Sequence, residues 1–329
     1  MYDLRVKPSE KWGRLAEALL GAPAFTVAEV AQEAGVDRAR AERLWRALGF
    51  PPADDDERVF TRSDVEVLRA AHALVAMQGT DPVELIQLTR VIGQSLARVA
   101  DAQVTASAER LARLRSAPTS SDGTVAELVD RIEALAPSLE QFLGYVWRRH
   151  LVAALRRLSA QPSAADRTLT VGFADLVGFT AMSQALDAGE LAAMVDRFEA
   201  VAYEHIPSRG GRIVKMIGDE VMFAVDEGPF AADIGIALVE AHARDATLPE
   251  CRVGLATGPT LAWEGDLFGP TVNLASRLVN LARPGTVLLS DDLGEGLQDD
   301  PRFELRHLRP VGLHGIGRVR PWVLRRARV

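Results

Sequence analysis

The stretch RIVKMIGDEVMF, residues 212–223, holds two apolar runs on either side of a two-residue turn, Gly218-Asp219. Short apolar runs parted in this way read as a β-hairpin. Such a hairpin ordinarily keeps its charge at the tip and its apolar residues on the inner face. Here Lys215 lies inside the first run, while Asp219 and Glu220 lie at the turn. The chain has 38 Lys+Arg residues, and only Lys7, Lys11 and Lys215 are lysines. A lysine inside an apolar strand, four residues from an aspartate, calls for a chemical reason.

Working outward from the hairpin, strand-like and helix-like segments alternate from residue 168 to the C-terminus. TLTVGFADL reads as a strand and AGELAAMVDRFEAVAYEHI as an amphipathic helix. After the hairpin come a helix, PFAADIGIALVEAHAR, and a strand, CRVGLATGPTLAW. The segment TVNLASRLVNLA is a helix that ends before Pro284-Gly285, and TVLLS is a strand. The order βαββαβ, with additions, predicts a ferredoxin-like α+β domain, its sheet antiparallel or mixed and its helices on one face.

The preceding half has a different character. Residues 10–158 carry apolar residues at three-to-four spacing, which predicts an all-helical domain over 1–158. SAQPSAADR, residues 159–167, is a polar linker, and 168–329 form the second domain. Residues 25–50 read as a helix, a turn at Gly35 and a second helix, and resemble a MerR-type helix-turn-helix. Ser63 is a candidate N-cap for a helix in 59–75. PTSSDGT, residues 118–124, reads as a loop, and residues 138–160 as one long helix.

Composition sets the outer bounds. A length of 329 residues allows about two domains. With 48% hydrophobic and 25% charged residues, each can bury a core. The net charge of −7 gives no global attraction to nucleic acid. The single Cys251 excludes an intramolecular disulfide and a cysteine-rich zinc site. No apolar stretch approaches the ~18 residues of a membrane helix, and the first residues lack a signal-peptide core. The expectation is a cytoplasmic protein with no transmembrane segment.

Two sets of residues carry chemistry. Asp175 ends the first strand, and Asp219 follows 44 residues later at the hairpin tip. Packing the hairpin beside that strand would bring the two carboxylates together, where they repel unless a proton or a cation intervenes. Oxygen ligands without Cys or His favour Mg²⁺ or Mn²⁺. Spacing alone favours two turn-favouring acids with no shared role. Asn273 and Arg277 stand at i and i+4 on one helix face, where they could orient a hydroxyl and clamp a phosphate. A solvated polar stripe would have the same spacing. The chain lacks the glycine-rich phosphate-binding fingerprints, so a nucleotide would be held in some other way.

Taken in order, FADLVGFT, RIVKMIGDEVMF, GDLFGPTVNLASRL and RPGTVLLS resemble the class III nucleotidyl cyclase catalytic domain over about residues 168–325. The resemblance implies an adenylate cyclase that converts ATP to 3′,5′-cyclic AMP and pyrophosphate. It implies that Asp175 and Asp219 hold two divalent cations, Mg²⁺ or Mn²⁺. Lys215 and Asp266 would read the adenine ring, Asn273 would orient the ribose, and Arg277 would clamp the phosphate. A guanylate cyclase of this family would carry Glu at 215 and a small polar residue or Cys at 266. The resemblance also implies a homodimer with shared active sites, one chain giving the aspartates and the other the remaining residues. The competing reading is an inactive nucleotide-binding module of this fold inside a helix-turn-helix regulator.

For the helical half, the arrangement resembles the autoinhibited soluble cyclases of actinobacteria, which implies a restraint on catalysis and a proton or lipid signal. His72 and His150 are its only histidines and are the candidate pH sensors. DNA is a disfavoured partner. Arg38, Arg40, Arg43 and Arg46 suit a recognition helix, but the sequence that follows is PPADDDER, and residues 1–150 sum to 19 − 22 = −3. An apolar ligand groove and plain core packing are both compatible with the apolar faces of 64–114 and 124–158.

Overall fold

The computed structural model describes residues 10–78, 81–114, 121–160 and 167–327. It divides into two compact units, Met1–Arg156 and Arg157–Val329. No helix among the described residues is long and apolar enough to cross a membrane.

The first unit is helical: α1 Glu10–Leu20, α2 Val27–Ala34, α3 Arg38–Leu48, α4 Arg62–Gln78, α5 Pro82–Leu114 and α6 Ser121–Ala160. Local chemistry sets the helix-turn-helix. Thr26 and Glu29 form a reciprocal capping box at the start of α2, and Gly35 ends that helix at φ 72°. Asp37 caps α3, and Gly49 closes it at φ 91°. Val30, Leu44, Val65 and Leu68 make a shared core, and Trp45 meets Phe60 edge-on at 5.3 Å.

Three details of this unit depart from the sequence reading. Ser63 lies inside α4 and donates to the Leu20 carbonyl at 2.9 Å. The first turn is instead held by Asp64, which accepts from the Thr61 amide at 2.6 Å and from its hydroxyl at 2.8 Å. Residues 121–124, read as loop, are the first turn of α6, whereas 118–120 lie outside the described residues. The long helix therefore begins at Ser121 and not at 138. Pro137 looks like a helix start in sequence, yet it sits in the interior of α6, where one backbone hydrogen bond is forgone. The same helix runs to Ala160, and the rest of the linker reading, 161–166, lies outside the described residues.

The second unit follows the order β1 Arg167–Leu176, α7 Phe179–Ala185, α8 Ala188–His205, β2 Arg212–Ile217, β3 Glu220–Val225, α9 Gly228–Arg244, β4 Cys251–Trp263. It continues with β5 Asp266–Phe268, α10 Pro270–Leu281, β6 Val287–Leu289, α11 Asp291–Leu297, β7 Phe303–His307, β8 Val311–Leu313, β9 Gly317–Val319 and β10 Trp322–Arg326. The main sheet runs β2-β3-β1-β4-β6-β10-β7, with β5 paired to β4. β1 is antiparallel to β3 and β4, and β4 is parallel to β6, so the sheet is mixed.

Helices cover both faces rather than the one that the sequence suggested. Phe198, Ile234 and Leu238 from α8 and α9 pack with Val221, Phe223 and Val225 on one side. Leu278 and Val279 of α10 pack with Val171, Phe173 and Met222 on the other. A central strand buried on both faces loses the alternation that would have revealed this. α10 approaches the sheet closely because β4 has a glycine beneath it. A Cβ at Gly254 would lie 2.2 Å from the Val279 amide nitrogen and 2.6 Å from the Ala275 carbonyl oxygen. Backbone on both sides leaves no flexible end to yield. Gly254→Ala is expected to destabilise the second unit by about 3 kcal/mol or more, read as a lower urea midpoint of the full chain. An unchanged midpoint would show that α10 can lift off the sheet freely.

Candidate active site

The C-terminal end of β1 brings three acids and one arginine together. In the sheet register Asp175 faces Glu220 of β3 on one side and Arg252 of β4 on the other. The Arg252 guanidinium donates to Asp175 Oδ2 from Nε at 2.8 Å and from Nη2 at 2.5 Å. Its Nη1 donates to the Asn280 carbonyl on α10 at 3.3 Å. Asp219 occupies the hairpin turn after Gly218, whose φ is 63°. The Asp219 carbonyl accepts from the Leu176 amide at 3.1 Å, which ties the hairpin tip to the end of β1. The Asp219 carboxylate lies close enough to Asp175 for its charge to be felt there.

This crowding shifts the acids. Burial pushes Asp175 above the usual carboxylate range and Asp219 adds to the rise, while Arg252 opposes it. Glu220 is pushed to about 7, first by burial and then by the charges of Asp175 and Asp219. The cluster lines a cleft of about 360 Å³ with Thr180, Ser276 and Asn280. Acids held this close require positive charge or protons. The donor set is all oxygen, which fits a hard divalent cation. Among the described residues no group of three or more His, Cys, Asp or Glu side chains is arranged to hold a metal by itself. A cation here would draw further ligands from water or from a bound phosphate, as Mg²⁺ commonly does.

The raised acid has a consequence for stability. Glu220 titrates near 7 in the folded chain against an ordinary value of 4.5. Between these values the folded state holds a proton that the unfolded chain has lost, so stability falls as pH rises through that window. Urea midpoints in a metal chelator at about pH 5 and about pH 7.5 should therefore differ more for the wild type than for Glu220→Gln. Equal slopes would show that Glu220 titrates normally.

The second pair is the lysine of the hairpin and an acid from β5. The Lys215 ammonium donates to Asp266 Oδ2. Lys215 lies on edge strand β2, at a register shift between Ile213 and Lys215. Asp266 opens β5 after a tight turn, Glu264-Gly265, in which both residues have positive φ, 50° and 81°. Asp266 Oδ1 accepts from the Leu267 amide at 2.7 Å, which fixes the carboxylate. Both side chains of the pair are partly exposed. An ion pair in that setting adds little stability, and it leaves donor and acceptor within reach of a ligand.

Asn273 and Arg277 are placed differently. Both are exposed on α10, and their side chains make no hydrogen bond or ion pair among the described residues. Ser276 and Asn280, three and seven residues after Asn273 on the same helical stripe, line the acid cleft. The fold thus joins Asp175 to Asp219 and Lys215 to Asp266, and it leaves the Asn273 and Arg277 side chains exposed and without a partner among the described residues. The sequence reading missed Arg252, Glu220, Ser276 and Asn280. Glu220 was visible as a turn acid, but only the strand register sets it and Arg252 beside Asp175.

In the first unit His72 of α4 is half-buried, with Nδ1 buried and without a partner, and His150 of α6 is exposed. On the helix read as a recognition helix, Arg38 is paired with Glu42 at 2.7 Å and with Asp55. Arg46 donates to the Glu42 carbonyl at 3.3 Å.

The fold and the acid cleft define a nucleotidyl cyclase catalytic unit of class III. Residues 162–326 match the family described as adenylate and guanylate cyclase catalytic domain, and residues 15–158 match the adenylate cyclase regulatory domain. An adenylate cyclase of Streptomyces coelicolor is 37% identical over 345 residues, covering 95% of this chain and 89% of that protein. One from Glutamicibacter nicotianae is 35% identical, covering 91% of this chain and 78% of that protein. A pH-sensitive adenylate cyclase of Mycobacterium tuberculosis is 32% identical, covering 91% and 77%. The chain belongs to the adenylate cyclases in which a regulatory domain precedes a class III catalytic domain. Catalytic domains of this class work with divalent metal ions on a nucleotide substrate.

Proposed function

We propose that the protein converts ATP to 3′,5′-cyclic AMP and pyrophosphate at two equivalent sites, each shared by two copies of the chain. The observation that carries this reading is a pair of functional side chains left unused within one chain. In the acid cleft the Arg252 guanidinium is engaged by Asp175, and the exposed Asn273 and Arg277 side chains have no partner among the described residues. A second copy related by a two-fold axis would supply each half-site with the other. The β4–β5 hairpin beside Asp266 also leaves Leu261, Trp263 and Phe268 exposed, with Leu261 and Phe268 directly paired. Such an apolar patch suits coverage by another chain.

Each residue then has a task. Asp175 and Asp219 hold the cations, Mg²⁺ or Mn²⁺, which when bound neutralise the triphosphate and favour ionisation of the ribose 3′-hydroxyl. Arg252 keeps Asp175 ionised and aimed into the cleft. Lys215 donates to an adenine ring nitrogen, and Asp266 accepts from the exocyclic amine. Guanine presents a ring N–H and a carbonyl at the same positions and leaves both unmatched. Asn273 aligns the ribose for in-line attack. Arg277 meets the charge that builds on the α-phosphate.

Residues 1–158 are proposed to regulate this activity, 159–167 to link, and 168–329 to catalyse, in a cytoplasmic protein. The match to a regulatory domain and the named pH response of one relative support a restraint that answers to protons. The test is cyclic AMP formation from ATP by the full chain, with Mg²⁺ or Mn²⁺, at about pH 5.5 and about pH 8. Product at either pH that requires the metal is the expected result, with a marked difference between the two. Folded dimers that bind ATP and yield no product would favour a nucleotide-binding module instead.

A further inference from the structure

The second unit has another cavity, bounded by α10, the start of α11 and the β8–β9 hairpin with its flanks. Its volume is about 410 Å³, within the range of small-molecule sites, roughly 300–1,000 Å³. It shares no lining residue with the acid cleft. Leu274 and Leu278 of α10 give it an apolar wall. Asp291 and Asp292 line it from α11, and Arg318 and Arg320 line it from the hairpin.

Two acids and two guanidiniums around one small cavity would neutralise each other if they touched. None of the four makes an ion pair among the described residues. Asp291 Oδ1 accepts from the Trp322 indole N–H at 2.9 Å, which fixes that carboxylate without neutralising it. Ser290, only 3% exposed, also lines the cavity. Its hydroxyl accepts from the Thr257 amide at 3.3 Å and donates to nothing among the described residues. Its hydrogen is therefore available to an acceptor in the cavity. A simple anion here is drawn by the arginines and repelled by the aspartates, and a simple cation meets the reverse. A molecule with one charge of each sign satisfies both sides in charge-assisted hydrogen bonds.

We propose that this cavity binds a small dipolar molecule, one ammonium and one carboxylate joined by a short apolar body. The ammonium meets Asp291 and Asp292, the carboxylate meets Arg318 and Arg320, and the body lies against Leu274 and Leu278. This site is separate from the acid cleft, and its test does not depend on cyclase activity.

The experiment is calorimetric titration of the full chain with 4-aminobutanoate, 6-aminohexanoate and 8-aminooctanoate, and with hexanoate and hexylamine as singly charged controls. At least one of the amino acids is expected to bind with one site per chain, and the length that binds most tightly measures the span between the acids and the arginines. Each control should bind at least about tenfold more weakly, because it leaves one pair of charges unmet. Asp292→Asn and Arg318→Gln, both at exposed positions, should each weaken the amino acid by at least about fivefold, with an unchanged far-ultraviolet circular dichroism spectrum. Asp292→Asn should not weaken hexanoate, and Arg318→Gln should not weaken hexylamine, a pattern that general damage to the fold would not produce. The proposal is overturned if none of the amino acids binds, or if either control binds as tightly as the best of them. It is also overturned if both variants bind that amino acid like the wild type.

Discussion

Chains carrying Asp219→Ala, co-expressed in equal amounts with chains carrying Arg277→Ala, should form cyclic AMP at about a quarter of the wild-type rate, although neither variant alone is active. Asp219→Ala alone removes a cation ligand, and Arg277→Ala alone removes a donor aimed at the α-phosphate. Either change should cost about 10²–10³ in rate or more. In the mixture, random pairing makes about half of the dimers mixed. Each mixed dimer has one site with both defects and one with neither. One intact site of two, in half of the dimers, gives the quarter. A mixture as inactive as its components would mean that each site is built from a single chain, and the shared-site proposal would fall. Asp219→Ala that remains active alone would refute the metal assignment independently.

The second large effect concerns the base. Lys215→Glu with Asp266→Cys should erase the preference for ATP over GTP, a change of about a hundredfold or more in the ratio of kcat/KM values. The reasoning rests on the Lys215–Asp266 ion pair. A donor and an acceptor fixed side by side match one edge of adenine. Against guanine both stay unpaired, and each unmatched group costs about 1–3 kcal/mol. Glutamate at 215 accepts from the guanine ring N–H and removes one mismatch. Because both positions are partly exposed, the exchange should leave the fold intact. A variant that folds and retains full ATP preference would place base recognition elsewhere.

How much of this could be read from sequence depended on the range of the interaction. The hairpin was legible because a two-residue turn and its flanking runs are local. The caps of α2 and α3 are local in the same sense, and the helix-turn-helix could be read from Gly35 and its flanks. Ser63 shows the limit. Thr61, Ser63 and Asp64 are all capable of capping, and the choice fell to Thr61 and Asp64 because Ser63 is drawn to the Leu20 carbonyl. The start of α6 was missed because the helix runs through Pro137, and no local signal marks that it continues there. Arg252 was out of reach altogether. Its place beside Asp175 follows from β1–β4 register across 77 residues, and no short pattern encodes that. The family's residues were found through the resemblance of four motifs, and spacing alone had left each of them open.

Along one stripe of helix α10, Ser276 and Asn280 line the acid cleft, and Asn273 and Arg277 stand exposed before and between them. Ser276 and Asn273 are three residues apart, about 4.5 Å along the axis. In the proposed dimer this one rod belongs to both reaction centres at once. Its backbone packs directly on Gly254, and a displacement of the helix at one centre is expected to reach the other. Occupancy of one centre then alters the geometry of its twin, and the dimer works as a coupled pair of engines on one shaft. Its saturation curve with ATP would depart from a simple hyperbola, and the departure would report the stiffness of a single helix.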